Sequence, residues 1–113
     1  MTSAVLCRGS VVTVASPGVY SGQPRPAVVQ ADRWLQAQPS VTLCPLTSTL
    51  RQAPLVRIAV EPSRRNGLRK PFQLMVDKLF TVPTEAVGEV VGQLEPQVLM
   101  DLDLALRGWL ELP

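Results

Sequence analysis

The chain contains no histidine. That removes the side chain most often used to move protons near neutral pH. Cys7 and Cys44 are the only cysteines, and two thiols without a histidine cannot build a zinc site of the usual kind, so no such metal site is expected; no cofactor is expected either. Both thiols are expected reduced, with Cys44 buried in a strand. No apolar run is long enough to span a bilayer. The first residues, Met1 to Arg8, lack a basic start followed by a long apolar stretch, so no signal peptide is expected. These absences point to a soluble cytoplasmic protein with no membrane partner. Repeats, low-complexity tracts and linkers are also missing. Aromatic residues make up only 4% of the chain, and the single tyrosine, Tyr20, falls in a loop. There it can stack on a base or pack the loop down.

What is present is enough for one folded domain. The 113 residues are 46% apolar, which supports one core but not two. Eleven prolines are about twice the usual share and sit mostly at segment edges, as in short strands cut by turns. The net charge of +2 hides an asymmetry. Residues 51–78 carry Arg51, Arg57, Arg64, Arg65, Arg69, Lys70 and Lys78 against Glu61 and Asp77, whereas residues 79–113 carry six acids against Arg107. A basic middle suggests a phosphate-facing surface, or an ordinary solvated loop.

Five or six short strands are expected. Gly9 to Ala15 is β-branched and reads as the first, ended by Ser16-Pro17-Gly18. Arg25 to Ala31 is the second, and its run Ala27-Val28-Val29 suggests burial on both faces. Asp32 to Gln38 is one helical turn or an irregular excursion. Val41 to Leu46 is the third strand and Leu55 to Val60 the fourth. Asn66-Gly67 is the strongest turn dipeptide of the chain. Gln73 to Val76 is the fifth strand, interrupted by Asp77-Lys78 before Leu79-Phe80-Thr81-Val82. Thr84 to Val87 is read as a short helical turn and Glu89 to Leu94 as a last short strand.

The clear helix runs from Pro96, suited to a first helical position, to Leu110. Val98, Leu99, Leu102, Ala105, Leu106, Trp109 and Leu110 fall on one arc, so Trp109 is expected in the core. Asp103 and Arg107 are spaced for a supportive pair. Met100 and Leu104 form a second apolar spot, either a subunit contact or two exposed side chains. This order predicts a mostly β chain with a C-terminal helix (α+β), a small, mostly antiparallel barrel with the helix packed on it.

The stretch Gly22-Gln23-Pro24-Arg25-Pro26-Ala27-Val28-Val29-Gln30 carries the chemistry. Two prolines hold Arg25 extended at the mouth of a strand. A guanidinium fixed on a rigid rim can clamp an anion, or it can simply face water. Thr47-Ser48-Thr49, at the end of the third strand, offers three hydroxyls that can satisfy local backbone groups or donate to a phosphate.

In sequence the chain resembles the MazF/PemK family of toxins, mRNA interferases of bacterial type II toxin–antitoxin systems, within the CcdB/MazF-like superfamily. The resemblance rests on Arg8-Gly9-Ser10-Val11-Val12, Gln23 to Gln30, Cys44-Pro45-Leu46-Thr47-Ser48, Val60-Glu61-Pro62, Asn66-Gly67-Leu68, Met75-Val76-Asp77-Lys78 and Met100 to Leu106, in that order and spacing. It implies a single domain over residues 9–113 after an N-terminal extension, 1–8. It further implies an SH3-like barrel of five to seven strands, a homodimer, and metal-independent, sequence-specific cleavage of single-stranded RNA in the bacterial cytoplasm. The implied partner is a small antitoxin whose flexible tail covers the RNA groove.

By the same resemblance Arg25 and Thr47 are the catalytic residues. Tyr20, Gln23, Ser48, Arg51, Asp77 and Lys78 are the candidate RNA-facing set. Two positions depart from the family pattern. Lys78 stands where members often have glutamine and Met75 where some have arginine, so those members' acid–base assignment does not carry over. Two other readings stay open: a CcdB-like toxin that binds gyrase through an ending such as Gly108-Trp109-Leu110, and a family member that has lost catalysis.

Overall fold

The computed structural model of the chain describes residues 5–15 and 25–113. The expectations for Tyr20 and Gln23 therefore lie outside the described residues. Among the described residues eight strands appear: β1 (Ser10–Val14), β2 (Ala27–Val28), β3 (Ser40–Cys44), β4 (Leu46–Thr47), β5 (Arg57–Val60), β6 (Phe72–Met75), β7 (Phe80–Pro83) and β8 (Val87–Gln93). Two helices join them, α1 (Asp32–Leu35) and α2 (Pro96–Leu110). Short 3-10 turns at Val76–Lys78 and Thr84–Ala86 link β6, β7 and β8. Among the described residues no helix is long and apolar enough to cross a membrane.

The strands pair antiparallel in two sheets. One has the order β7-β3-β2-β1-β8 and the other β4-β6-β5. The expected third strand, Val41 to Leu46, is divided between them. Pro45 has no N–H to continue a ladder, so the chain leaves the first sheet after Cys44 and enters the second at Leu46. The Pro45 carbonyl accepts the Met75 N–H at 2.9 Å, which fastens this corner to β6. The mostly β architecture with a C-terminal helix is as the sequence predicts. The pairing among the described residues gives two sheets and does not close into one barrel.

The five-stranded sheet is buried on both faces. Successive strand residues point to opposite sides, and the buried residues divide accordingly. Val11, Ala27 and Cys44 join the three-stranded sheet and α2 in one cluster, with Leu46, Leu74, Val76 and Leu102. Val12, Val28 and Leu43 form the other with Val41, Val82 and Leu35 of α1. This accounts for the unbroken apolar run at Ala27-Val28.

Helix α2 has the bounds the sequence predicts, with Pro96 in its first turn and a left-handed cap at Glu111 (φ 56°). Two details differ. Trp109 is 51% exposed rather than packed in the core, because the last turn borders an open groove opposite Pro54 to Val56. Asp103 pairs with Arg8, at 2.7 Å, instead of Arg107. The Arg8 Nε donates to the Val29 carbonyl at 2.8 Å, which already fixes that guanidinium beside the helix.

Candidate functional site

Three segments that carry candidate residues meet at Cys44. On β2, Ala27 lies opposite Cys44, which puts Arg25 two residues beyond the pairing. Thr47 ends β4 just past the Cys44–Pro45 corner. The Cys44 thiol lies 3.5 Å from the Met75 carbonyl at the end of β6, and Asp77 follows in the 3-10 turn. Burial first, and then the negative charge of Asp77, push the Cys44 thiol up to about 12. Cys44 is thus an inert hub, as expected of a buried thiol. The chemistry lies in the side chains around it.

Arg25 borders a cleft of about 300 Å³ together with Arg69, Lys70 and Phe72. Among the described residues none of the three cations has a carboxylate within salt-bridge distance; the ion pairs found there are Arg8–Asp103 and Lys78–Asp77. Thr47 does not line this cleft. It connects to it through β6, where Gln73 is its register partner and Phe72 is the next residue.

The loop after Thr47 is held by Gln73. Gln73 Oε1 accepts from the Arg51 N–H at 3.0 Å and from Arg57 Nη1 at 2.9 Å, and its Nε2 donates to the Arg51 carbonyl at 3.0 Å. Arg57 Nη1 also donates to the Thr49 carbonyl at 2.9 Å. Thr47 Oγ1 accepts the Thr49 N–H at 3.1 Å, the local use open to such hydroxyls, and among the described residues its own proton has no acceptor. Ser48 and Arg51 are exposed on the same loop.

Asp77 Oδ2 accepts from Lys78 Nζ at 3.0 Å, while Oδ1 is shielded from solvent and has no partner among the described residues. A carboxylate oxygen without a donor is costly in a folded protein. The lysine that departs from the family pattern is therefore tied to its neighbouring acid.

Two groups of residues were not singled out by sequence. Gln73 and Arg57 brace the Thr47 loop, and Arg69, Lys70 and Phe72 share the cleft with Arg25. The charge asymmetry of residues 51–78 was the signal for the cations. Nothing in the local sequence marks Gln73, because its role comes from cross-strand register. Among the described residues no group of three or more cysteine and carboxylate side chains is placed to hold a metal ion.

Elsewhere, α2 and the segment before β5 border a larger apolar groove of about 550 Å³. Leu55, Val56 and Ile58 form one side, and Leu104, Ala105 and Trp109 the other.

The comparisons agree with this architecture. The chain is 39% identical over 99 residues to a probable endoribonuclease MazF of Mycolicibacterium smegmatis, covering 88% of this chain and 91% of that protein. An endoribonuclease from a mycobacterial species, solved in complex with its cognate antitoxin, superposes with a TM-score of 0.81 at 23% identity over 96% of this chain and 98% of its own. A MazE–MazF structure from Deinococcus radiodurans gives 0.77 at 15% identity over 98% and 100% of the two chains. Residues 7–110 match the family described as the PemK-like, MazF-like toxin of type II toxin–antitoxin systems. With nearly the whole domain matched and a relative of this identity, the chain belongs to the PemK-like and MazF-like toxins of type II toxin–antitoxin systems.

Proposed function

We propose that this toxin is an endoribonuclease that cuts single-stranded mRNA without a metal ion, with Arg25 and Thr47 gripping the scissile phosphate. The observation that carries this reading is the meeting of the 25–28, 44–47 and 73–77 segments at Cys44. Arg25 and Thr47 each lie a few residues beyond the Ala27–Cys44 pair, which supports their acting on one phosphate. In the reaction the 2′-hydroxyl gives up its proton, the 2′-oxygen attacks phosphorus, the bond to the 5′-oxygen breaks and that oxygen takes up a proton from solvent with Arg25 assisting its departure, leaving a 2′,3′-cyclic phosphate and a 5′-hydroxyl. Charge builds on the phosphate oxygens as this happens. The fork of Arg25 and the hydroxyl proton of Thr47 are the donors that stabilise it. Asp77 is the candidate acceptor for the 2′-hydroxyl proton by its chemistry, since a guanidinium makes a poor base. Tyr20, Gln23, Ser48, Arg51 and Lys78 complete the RNA-facing set in this reading.

The finer fold description belongs to the same proposal. In this reading the chain forms an SH3-like barrel over residues 9–113, preceded by the 1–8 extension, and the two antiparallel sheets joined at a proline corner support it. The partners are a cognate antitoxin and a second copy of the chain. The gyrase-binding alternative is not favoured, because the family match runs over residues 7–110.

The test is cleavage of a single-stranded RNA by purified protein in chelator. Wild type is expected to cut and to leave cyclic-phosphate ends. Arg25→Ala is expected to lose about 10²–10³ in rate, the usual cost of removing a transition-state donor. Equal cutting by both proteins overturns the assignment, and a folded wild type that cuts no RNA points to a family member without catalysis.

A further inference from the structure

The basic loop between β5 and β6 is built to present two cations. Asn66 is fully buried and uses all four of its hydrogen-bonding positions. Its Nδ2 donates to the Glu61 carbonyl at 2.7 Å and to Glu95 Oε1 at 3.1 Å, and its Oδ1 accepts the N–H groups of Ser63 at 3.1 Å and Leu68 at 2.9 Å. Gly67 sits at φ +72°, where a Cβ would lie 2.5 Å from the Val91 carbonyl oxygen. Leu68 is buried in the core. With residues 66–68 clamped, the exposed Arg69 and Lys70 follow directly and flank the Arg25 cleft, with half-buried Phe72 as its apolar wall.

Three cations without salt-bridge partners among the described residues, no lining carboxylate and one aromatic wall form a particular combination. A cleft of about 300 Å³ is at the small end of ligand sites. It suits one nucleotide of a flexible strand and is too small for a duplex. Cationic grooves with aromatic walls hold single strands in this way, through phosphate contacts and base stacking.

We propose that Arg69, Lys70 and Phe72 form a subsite for the nucleotide next to the scissile phosphate. Arg69 and Lys70 take its phosphodiester and Phe72 takes its base. The subsite rests on the endoribonuclease reading. It assigns these three residues to substrate binding, outside the group that handles the reacting atoms.

The probe is a short RNA whose scissile 2′-hydroxyl is replaced by hydrogen, so that it binds without being cut. Its affinity for the full chain is measured across a salt series. Arg69→Gln/Lys70→Gln is expected to reduce the slope of log affinity against log salt by about 0.7 for each phosphate left without its cation. With cleavable RNA the same variant is expected to raise KM about tenfold while kcat stays within about threefold, as for an interaction made equally before and during the reaction. Arg64→Gln/Arg107→Gln removes the same charge away from the cleft and is expected to leave slope and KM unchanged.

Phe72→Leu is expected to weaken the probe at least about fivefold, the low end for removing a ring that stacks on a base. An unchanged slope and KM in the cleft variant, or an equal change in the control variant, overturns the subsite while wild-type cutting keeps the enzyme reading intact. A wild type that neither binds nor cuts RNA ends both.

Discussion

Single residues divide here into those that carry chemistry and those that only hold it. Cys44 has the look of a reactive centre, since three candidate segments meet around it. Its burial and the nearby Asp77 carboxylate instead push the thiol up to about 12, so almost no thiolate exists at about pH 8. Cys7 is only half-buried, with its Sγ near Gln93 Oε1 at 3.4 Å. Alkylation of the native protein at about pH 8 is therefore expected to modify Cys7 about tenfold or more faster than Cys44. The second label is expected only in denaturant, and peptide mass spectrometry reads the difference. Rapid double labelling of folded protein contradicts the buried hub. The burial of Cys44 was legible in the sequence from its apolar neighbours. The ion pair that Asp103 makes was not, because helical spacing says which side chains of one helix can meet and is silent on Arg8, 95 positions away.

At the level of elements, the turn that follows β5 is where sequence and structure agree most closely. Asn66-Gly67 reads as a turn, and the structure places Gly67 at φ +72° against the Val91 carbonyl. Gly67→Ala is expected to destabilise the fold by at least ~1–2 kcal/mol from the backbone conformation alone, before any clash is counted. Thermal unfolding measures it. The same turn is buckled to the start of α2 through Glu95. Partial burial opposes ionisation of this carboxyl, and hydrogen bonds from Ser63 at 2.5 Å and Asn66 at 3.1 Å, with help from its own backbone and the charge of Arg65, overcome it and hold the group below its usual 4.5. A carboxyl lowered in the folded state stabilises above its unfolded value, and the contribution disappears as pH falls through the folded one. Glu95→Gln is thus expected to be less stable than wild type at neutral pH, with the gap closing below about 4.5. A gap that is constant with pH rejects the buckle. Strand boundaries were less legible than this turn. The passage of the chain between sheets at Pro45 depends on pairing with Met75, and Gln73 gains its place from register with Thr47; neither relation has a local signal.

For the molecule as a whole, the unsettled surface is the groove beside α2. The amphipathic pattern of the helix was legible, and Leu102 is buried as that pattern requires. The pattern extends further than the core does. Trp109 and Leu110 stay half-exposed, and Met100 and Leu104 are 60% and 64% exposed on the same helix. Across the groove Leu55 is 84% exposed. A folded chain that leaves a tryptophan and two leucines at the rim of an apolar groove has an incomplete surface, and such patches mark association sites. A homodimer built on this face would let each Leu55 and Trp109 rim supply apolar area to the other. Leu104→Glu places a charge at that contact without touching the core of the monomer. The wild-type protein alone is expected to run at twice the chain's mass by light scattering. Leu104→Glu is expected to raise the dissociation constant by about 30-fold or more, the size of a hot-spot effect of ~2 kcal/mol, with an unchanged far-ultraviolet spectrum. A wild type that stays monomeric at high concentration leaves the groove to another partner, and a variant that dimerises as well as wild type moves the contact to a different face.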